Sequence, residues 1–110
     1  MGKHQLGEFE EVVMLTVAIL TTEAYGFSII EEMEKRMKRS VSIGALQTVL
    51  RRLEDKGYLI SEMGEATKVR GGKRKRFFTV TDAGKKVLQA TKEQRLSLWN
   101  AIPDFSFNNQ

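Results

Sequence analysis

The stretch "VRGGKRKRFF", residues 69–78, sets Arg70, Lys73, Arg74, Lys75 and Arg76 within seven positions, and Lys68 stands just before it. Cations packed that densely repel one another, so water must solvate them in a turn or an anion must meet them. A second set of candidate groups lies upstream, where Ser42, Gly44, Gln47, Thr48, Arg51 and Arg52 recur at short spacings. Phosphate binding is the chemistry both sets share, and Gln and Arg can also read base edges. The "GGKR" within the run is not a P-loop, because it lacks the earlier glycine spacing and a Ser or Thr after the lysine.

Catalytic and metal chemistry have little to draw on. The chain has no cysteine and one histidine, His4, so disulfides, thiolate metal sites and histidine-based catalysis are not expected. Ten Asp and Glu precede residue 64, but they fall at helix starts or on polar helix faces. A general acid–base pair needs burial or a neighbour that shifts its pKa, and no such grouping is visible. The expectation is therefore a protein without catalytic residues, metal or cofactor.

With 110 residues, 41% of them apolar, the chain is expected to form one domain with a modest core. Its net charge of +4 is unevenly placed. Residues 1–63 carry eight Lys and Arg against ten Asp and Glu, residues 64–80 six against one, and residues 81–110 four against three. The positive field is local, which suits a contact surface. No apolar run approaches the roughly 20 residues that span a bilayer. The longest, Val12 to Leu20, is interrupted by Thr16 and follows acidic residues, unlike a signal peptide's basic start. A cytoplasmic protein with no membrane partner is expected.

Four helices and a hairpin can be placed around these groups. Glu8 to Leu20 is apolar almost all round and should be touched on several sides, with Glu8, Glu10 and Glu11 suited to its N-terminal dipole. Apolar Phe27, Ile30, Met33 and Met37 predict a second, amphipathic helix, followed by a link in which Val41 could form a brief strand. Ser42 can cap a third helix that stops at Gly57. Steps of about 100° per residue put Ile43, Leu46, Val49, Leu50 and Leu53 on one face of it. Gly44, Thr48, Arg51, Arg52 and Asp55 lie opposite, with Gln47 at the flank, and Asp55 is placed to pair with Arg51. "YLISEMG" and "KRFFTVT" read as two strands joined through residues 65–75, with Gly71 and Gly72 at the tip. Phe77 and Phe78 alternate across the second strand, so at most one can face the core. Thr81 or Asp82 then caps a fourth helix that runs to about Ala101, before Pro103.

The expected fold is thus mainly α with a small two-stranded antiparallel hairpin. Three helices closed by such a hairpin make a winged helix-turn-helix, in which the third helix enters a major groove and the wing lies along the backbone or an adjacent minor groove. "AYGFSIIEEM", "SVSIGALQTVLRRLEDKGYL" and "GGKRKRFFTVTDAG" resemble the PadR-type winged-helix transcriptional regulators over residues 6–90. The chain differs where that family often carries tyrosine, at Gln47, Phe77 and Phe78. The resemblance implies a cytoplasmic, prokaryotic, homodimeric regulator, usually a repressor, that dimerises through its C-terminal helix. It also implies that Trp99 can line a pocket for a flat hydrophobic effector at the dimer centre.

The fourth helix supports a partner independently, because its apolar residues spread over more than the one face its own domain needs. Leu88, Leu96, Trp99 and Ile102 are the expected dimer contacts. Residues 1–80 are read as the DNA-binding domain with recognition helix 42–57 and basic wing 65–75, 81–102 as the dimerisation helix, and 103–110 as a tail. The expected partner is double-stranded DNA with a pseudo-palindromic operator. Ser42, Gly44, Gln47, Thr48, Arg51, Arg52, Lys68, Arg70, Lys73, Arg74, Lys75 and Arg76 are the candidate contacts. The alternative is a winged-helix protein-interaction or assembly module without sequence-specific DNA binding, which would have no need of a basic wing.

Overall fold

A computed structural model describes residues 6–64 and 74–103. The elements run α1 (Glu8–Leu20), a single 3-10 turn (Thr21–Glu23), α2 (Gly26–Met37), α3 (Ile43–Asp55), β1 (Leu59–Met63), β2 (Arg76–Val80) and α4 (Asp82–Ala101). The two strands pair antiparallel with Leu59 opposite Val80 and Met63 opposite Arg76.

Local chemistry sets most of the boundaries. The Gly7 N–H donates to the Glu10 carboxylate at 2.8 Å, closing the first turn of α1. At α2 the Tyr25 N–H donates to Ser28 Oγ at 2.9 Å. Ser42 Oγ accepts from the Ala45 N–H at 3.1 Å and opens α3, as a capping hydroxyl does. Gly57, at φ 82°, supplies the left-handed turn that leads into β1. Thr81 Oγ1 accepts from the Gly84 N–H at 3.0 Å and donates to the Gly57 carbonyl at 2.6 Å. One hydroxyl therefore starts α4 and ties it to the end of α3.

The core lies where α1, α2, α3 and the hairpin converge. Val13, Met14 and Val17 of α1 meet Ile29 and Met33 of α2, and Leu46, Val49, Leu50 and Leu53 of α3. Leu59, Phe78 and Val80 close it from the sheet. Burying a Leu or Ile side chain contributes about 1.5–3 kcal/mol, so the α3 stripe is a major source of cohesion. The Phe78 N–H donates to the Ala24 carbonyl at 2.8 Å, pinning the outer edge of β2 to the chain between α1 and α2. Gly84 sits where α4 crosses the sheet, and a Cβ there would run into the Tyr58 carbonyl and lie 2.8 Å from Val80 Cγ1.

Four expectations are corrected. The buried stripe of α2 is Ile29 and Met33, not the line from Phe27 to Met37. Phe27 is 69% exposed, because it lies about 140° from the middle of that stripe. Met37 is exposed because it ends the helix beyond the core. Val41 forms no strand; the two described strands are β1 and β2. Helix α1 is not covered all round, since Leu15 and Ile19 are exposed. Asp55 forms no ion pair with Arg51; its neighbour Arg52 instead approaches Glu10 at 4.0 Å.

Candidate nucleic-acid interface

The apolar stripe of α3 fixes which residues it can present outward. With Leu46, Val49, Leu50 and Leu53 turned inward, Gly44, Ala45, Gln47, Thr48, Arg51 and Arg52 are left exposed. A Cβ on Gly44 would meet nothing within 4 Å, so a surface can approach the first turn of α3 closely. The Thr48 hydroxyl donates to the Gly44 carbonyl at 3.0 Å, which leaves its oxygen as an acceptor toward the outside. The oxygen of Ser42 is used by the helix cap, as described above.

The hairpin brings a second group of cations to the same place. Gln47, Arg51 and Glu54 of α3 line an open groove of about 760 Å³ with Arg74, Lys75 and Arg76. Tyr25, Gly26 and Phe27, at the start of α2, form its far wall. The cations are held as well as placed. Arg74 Nε donates to the Gly64 carbonyl at 2.7 Å. Lys75 Nζ lies 4.1 Å from the centre of the Tyr25 ring, within the range of a cation–π contact. Arg76 Nη1 donates to Ser61 Oγ at 3.0 Å. Phe77 packs edge-on against Tyr25 with ring centres 5.5 Å apart, while Phe78 is buried. The two phenylalanines thus divide as strand alternation requires. Lys68, Arg70 and Lys73 lie outside the described residues, as does most of the 65–75 segment.

Arg52 is set apart from this group. Glu10 is buried, and its carboxylate accepts from Lys56 Nζ at 2.9 Å with Arg52 Nη1 at 4.0 Å. Burial pushes Glu10 upward, but the Gly7 N–H, the Lys56 hydrogen bond and the charges of Lys56 and Arg52 together hold it below the ordinary value. Arg52 thus faces a carboxylate on α1, whereas Arg51 faces the groove.

Along α4, Leu88, Leu96 and Trp99 line a shallow hollow of about 490 Å³ with Leu15 of α1. Trp99 is 57% exposed and Leu98, on a neighbouring face, 67%. Ile102 caps the helix, donating from its N–H to the Trp99 carbonyl at 3.2 Å, and is half-buried outside that hollow. Arg95 Nη2 bridges to Glu11 Oε1 at 2.8 Å and fixes α4 against α1.

Sequence reasoning missed Tyr25 and Glu54, which line the groove, and Ser61, which lies outside its lining but holds Arg76 and Glu54. Tyr25 does carry a signal, being an aromatic residue just before a helix start. Glu54 and Ser61 carry none, because their partnership depends on the hairpin folding back over α3.

A mainly helical domain with a two-stranded wing beside an exposed helix face is a winged helix-turn-helix. The model of the PadR-like family of transcriptional regulators matches residues 14–90, and the chain belongs to that family. It is similar to the solved structure of a PadR-like transcription factor from Bacteroides fragilis, at 27% identity over 84% of each chain with a TM-score of 0.70. It is similar also to a PadR family transcriptional regulator from Eggerthella lenta, at 27% identity, 84% of this chain, 80% of that one and a TM-score of 0.66. A PadR family regulator from Clostridium difficile shares the fold, at 22% identity, 84% and 92% coverage and a TM-score of 0.66. Among curated proteins none matches the chain significantly. The chain is accordingly a DNA-binding transcriptional regulator by family. Among the described residues, no single helix is long and apolar enough to cross a membrane.

Proposed function

We infer that this protein is a homodimeric, cytoplasmic repressor that reads a pseudo-palindromic operator through α3 and clamps the flanking phosphates with its wing. The observation that carries the reading is the shared groove, where the open polar face of α3 meets Arg76 of β2 and, just before that strand, Arg74 and Lys75. In it Gln47 and Arg51 face base edges, and Arg74, Lys75 and Arg76 neutralise the backbone. Ser42, Gly44, Thr48 and Arg52 flank that contact, and Lys68, Arg70 and Lys73 add further phosphate contacts. The DNA-binding domain is residues 1–80 and the dimerisation helix 81–102, followed by the 103–110 tail.

The surplus apolar surface on α4 supports the dimer. Leu88, Leu96 and Trp99, with Ile102 at the helix end, meet their twofold equivalents, which puts the two reading helices about one DNA turn, roughly 34 Å, apart. A flat hydrophobic effector stacking on Trp99 acts by favouring a dimer geometry in which that spacing is lost.

Fluorescence anisotropy with the protein's own upstream DNA and a scrambled duplex, across several salt concentrations, tests the reading. Tighter binding to the upstream DNA is expected, with affinity falling steeply as salt rises. Equal affinity for both duplexes, or no binding at low salt, contradicts it.

A further inference from the structure

Glu54 is electrostatically out of place. It lines the groove beside Arg51, Arg74, Lys75 and Arg76, where a carboxylate should repel the phosphates that the cations attract. It forms no direct ion pair with a described cation. Its Oε2 instead accepts from the Ser61 hydroxyl at 2.5 Å, and the oxygen of that hydroxyl accepts from Arg76 Nη1 at 3.0 Å. The donors and acceptors run one way, from guanidinium to hydroxyl to carboxylate, and link α3 to β1 and β1 to β2. The strand register makes this geometry available. Val80 and Phe78 face the core, so Arg76, two residues before Phe78, leaves on the same face just past the core edge, toward α3.

We propose that Glu54 and Ser61 are positioning residues for DNA binding: through Ser61, Glu54 fixes the Arg76 guanidinium so that its remaining N–H groups meet a phosphate at a set distance from the reading face of α3. This rests on the DNA-binding reading above and adds to it the means by which wing and recognition helix keep one register. A guanidinium already held by one nitrogen loses less side-chain freedom when a phosphate arrives.

The test is an anisotropy titration with a labelled mixed-sequence duplex about three helical turns long, repeated across a salt series. Arg76→Ala should lower the logarithmic salt slope by about 0.9. Ser61→Ala and Glu54→Ala should reproduce most of that drop, weaken binding about fivefold, and add nothing in the Arg76→Ala background. Glu54→Gln and Ser61→Thr, which keep the acceptor and the hydroxyl, should restore the slope and guard against loss of fold, checked by thermal unfolding. Tighter binding by Glu54→Ala would show a carboxylate that merely repels DNA, and an unchanged slope in Ser61→Ala would show an idle hydroxyl; either overturns the relay. Absence of binding by the wild type at low salt removes the DNA-binding reading together with the relay. Wild-type binding that depends on Arg76 but not on Ser61 removes the relay alone.

Discussion

Helices α3 and α4 are both amphipathic, yet their apolar residues meet different fates. Helix α3 spends its apolar stripe inside its own domain, with Leu46, Val49, Leu50 and Leu53 buried, and faces outward with Gln47, Thr48 and Arg51. Helix α4 is longer, at 20 residues, but only Gly84 is buried, while Leu96, Leu98 and Trp99 stay exposed. A finished apolar face with polar groups outside suits a helix that meets a charged, hydrated surface. An unfinished apolar face suits a helix that meets its like.

Substitutions on the two helices should therefore separate stability from association. Leu53→Ala in α3 should cost about 3 kcal/mol in chemical denaturation of the monomer, because Leu53 is fully buried. Gly84→Ala should cost about 1–3 kcal/mol by the same measurement, since the added Cβ has no room against Tyr58 and Val80. This would place the first turn of α4 on the stability side of the divide. Trp99→Ala should leave monomer stability nearly unchanged but raise the dimer dissociation constant about thirtyfold, roughly 2 kcal/mol, in sedimentation velocity. A Trp99→Ala protein that unfolds early yet dimerises normally would erase the distinction.

The smallest effect concerns how α3 is held from behind. Glu10 binds Lys56 at the end of α3, and its folded pKa lies below its ordinary 4.5. A depressed carboxylate contributes stability that is fully present above its unfolded pKa and is lost as pH falls through the folded one. Unfolding midpoints should therefore drop on acidification below about pH 4.5, the unfolded value. Glu10→Gln should lower the midpoint at neutral pH and flatten that drop.

Much of this arrangement was legible in the sequence, for local reasons. Ser42, Gly57 and Thr81 announce helix ends because a cap or a left-handed turn needs only neighbouring backbone. The inward stripe of α3 was legible because four strongly apolar residues recur at helical spacing. The phase of α2 was not, since Phe27, Ile29, Ile30, Met33 and Met37 offer more apolar positions than one face can bury. Gly26 settles the choice by admitting Ile43 of α3, whose Cδ1 lies 3.1 Å from where a Cβ would stand. That contact lies between helices and leaves no local trace. The partners of Glu10, Glu54 and Arg76 were hidden for the same reason, being 46, 7 and 15 residues away along the chain. The basic run itself was visible at once, but its meaning came from the hairpin setting Arg74, Lys75 and Arg76 beside Arg51.

The central claim is that one groove divides its labour, with α3 reading bases and the hairpin cations Arg74, Lys75 and Arg76 holding phosphates. It is tested most directly by titrating Gln47→Ala/Arg51→Ala and Arg74→Ala/Arg76→Ala proteins against upstream and scrambled duplexes at fixed salt. The first variant should lose most of the preference for upstream DNA, and the second should bind both duplexes more weakly while keeping that preference. An unchanged preference in the first variant, or a lost preference in the second, would contradict the account.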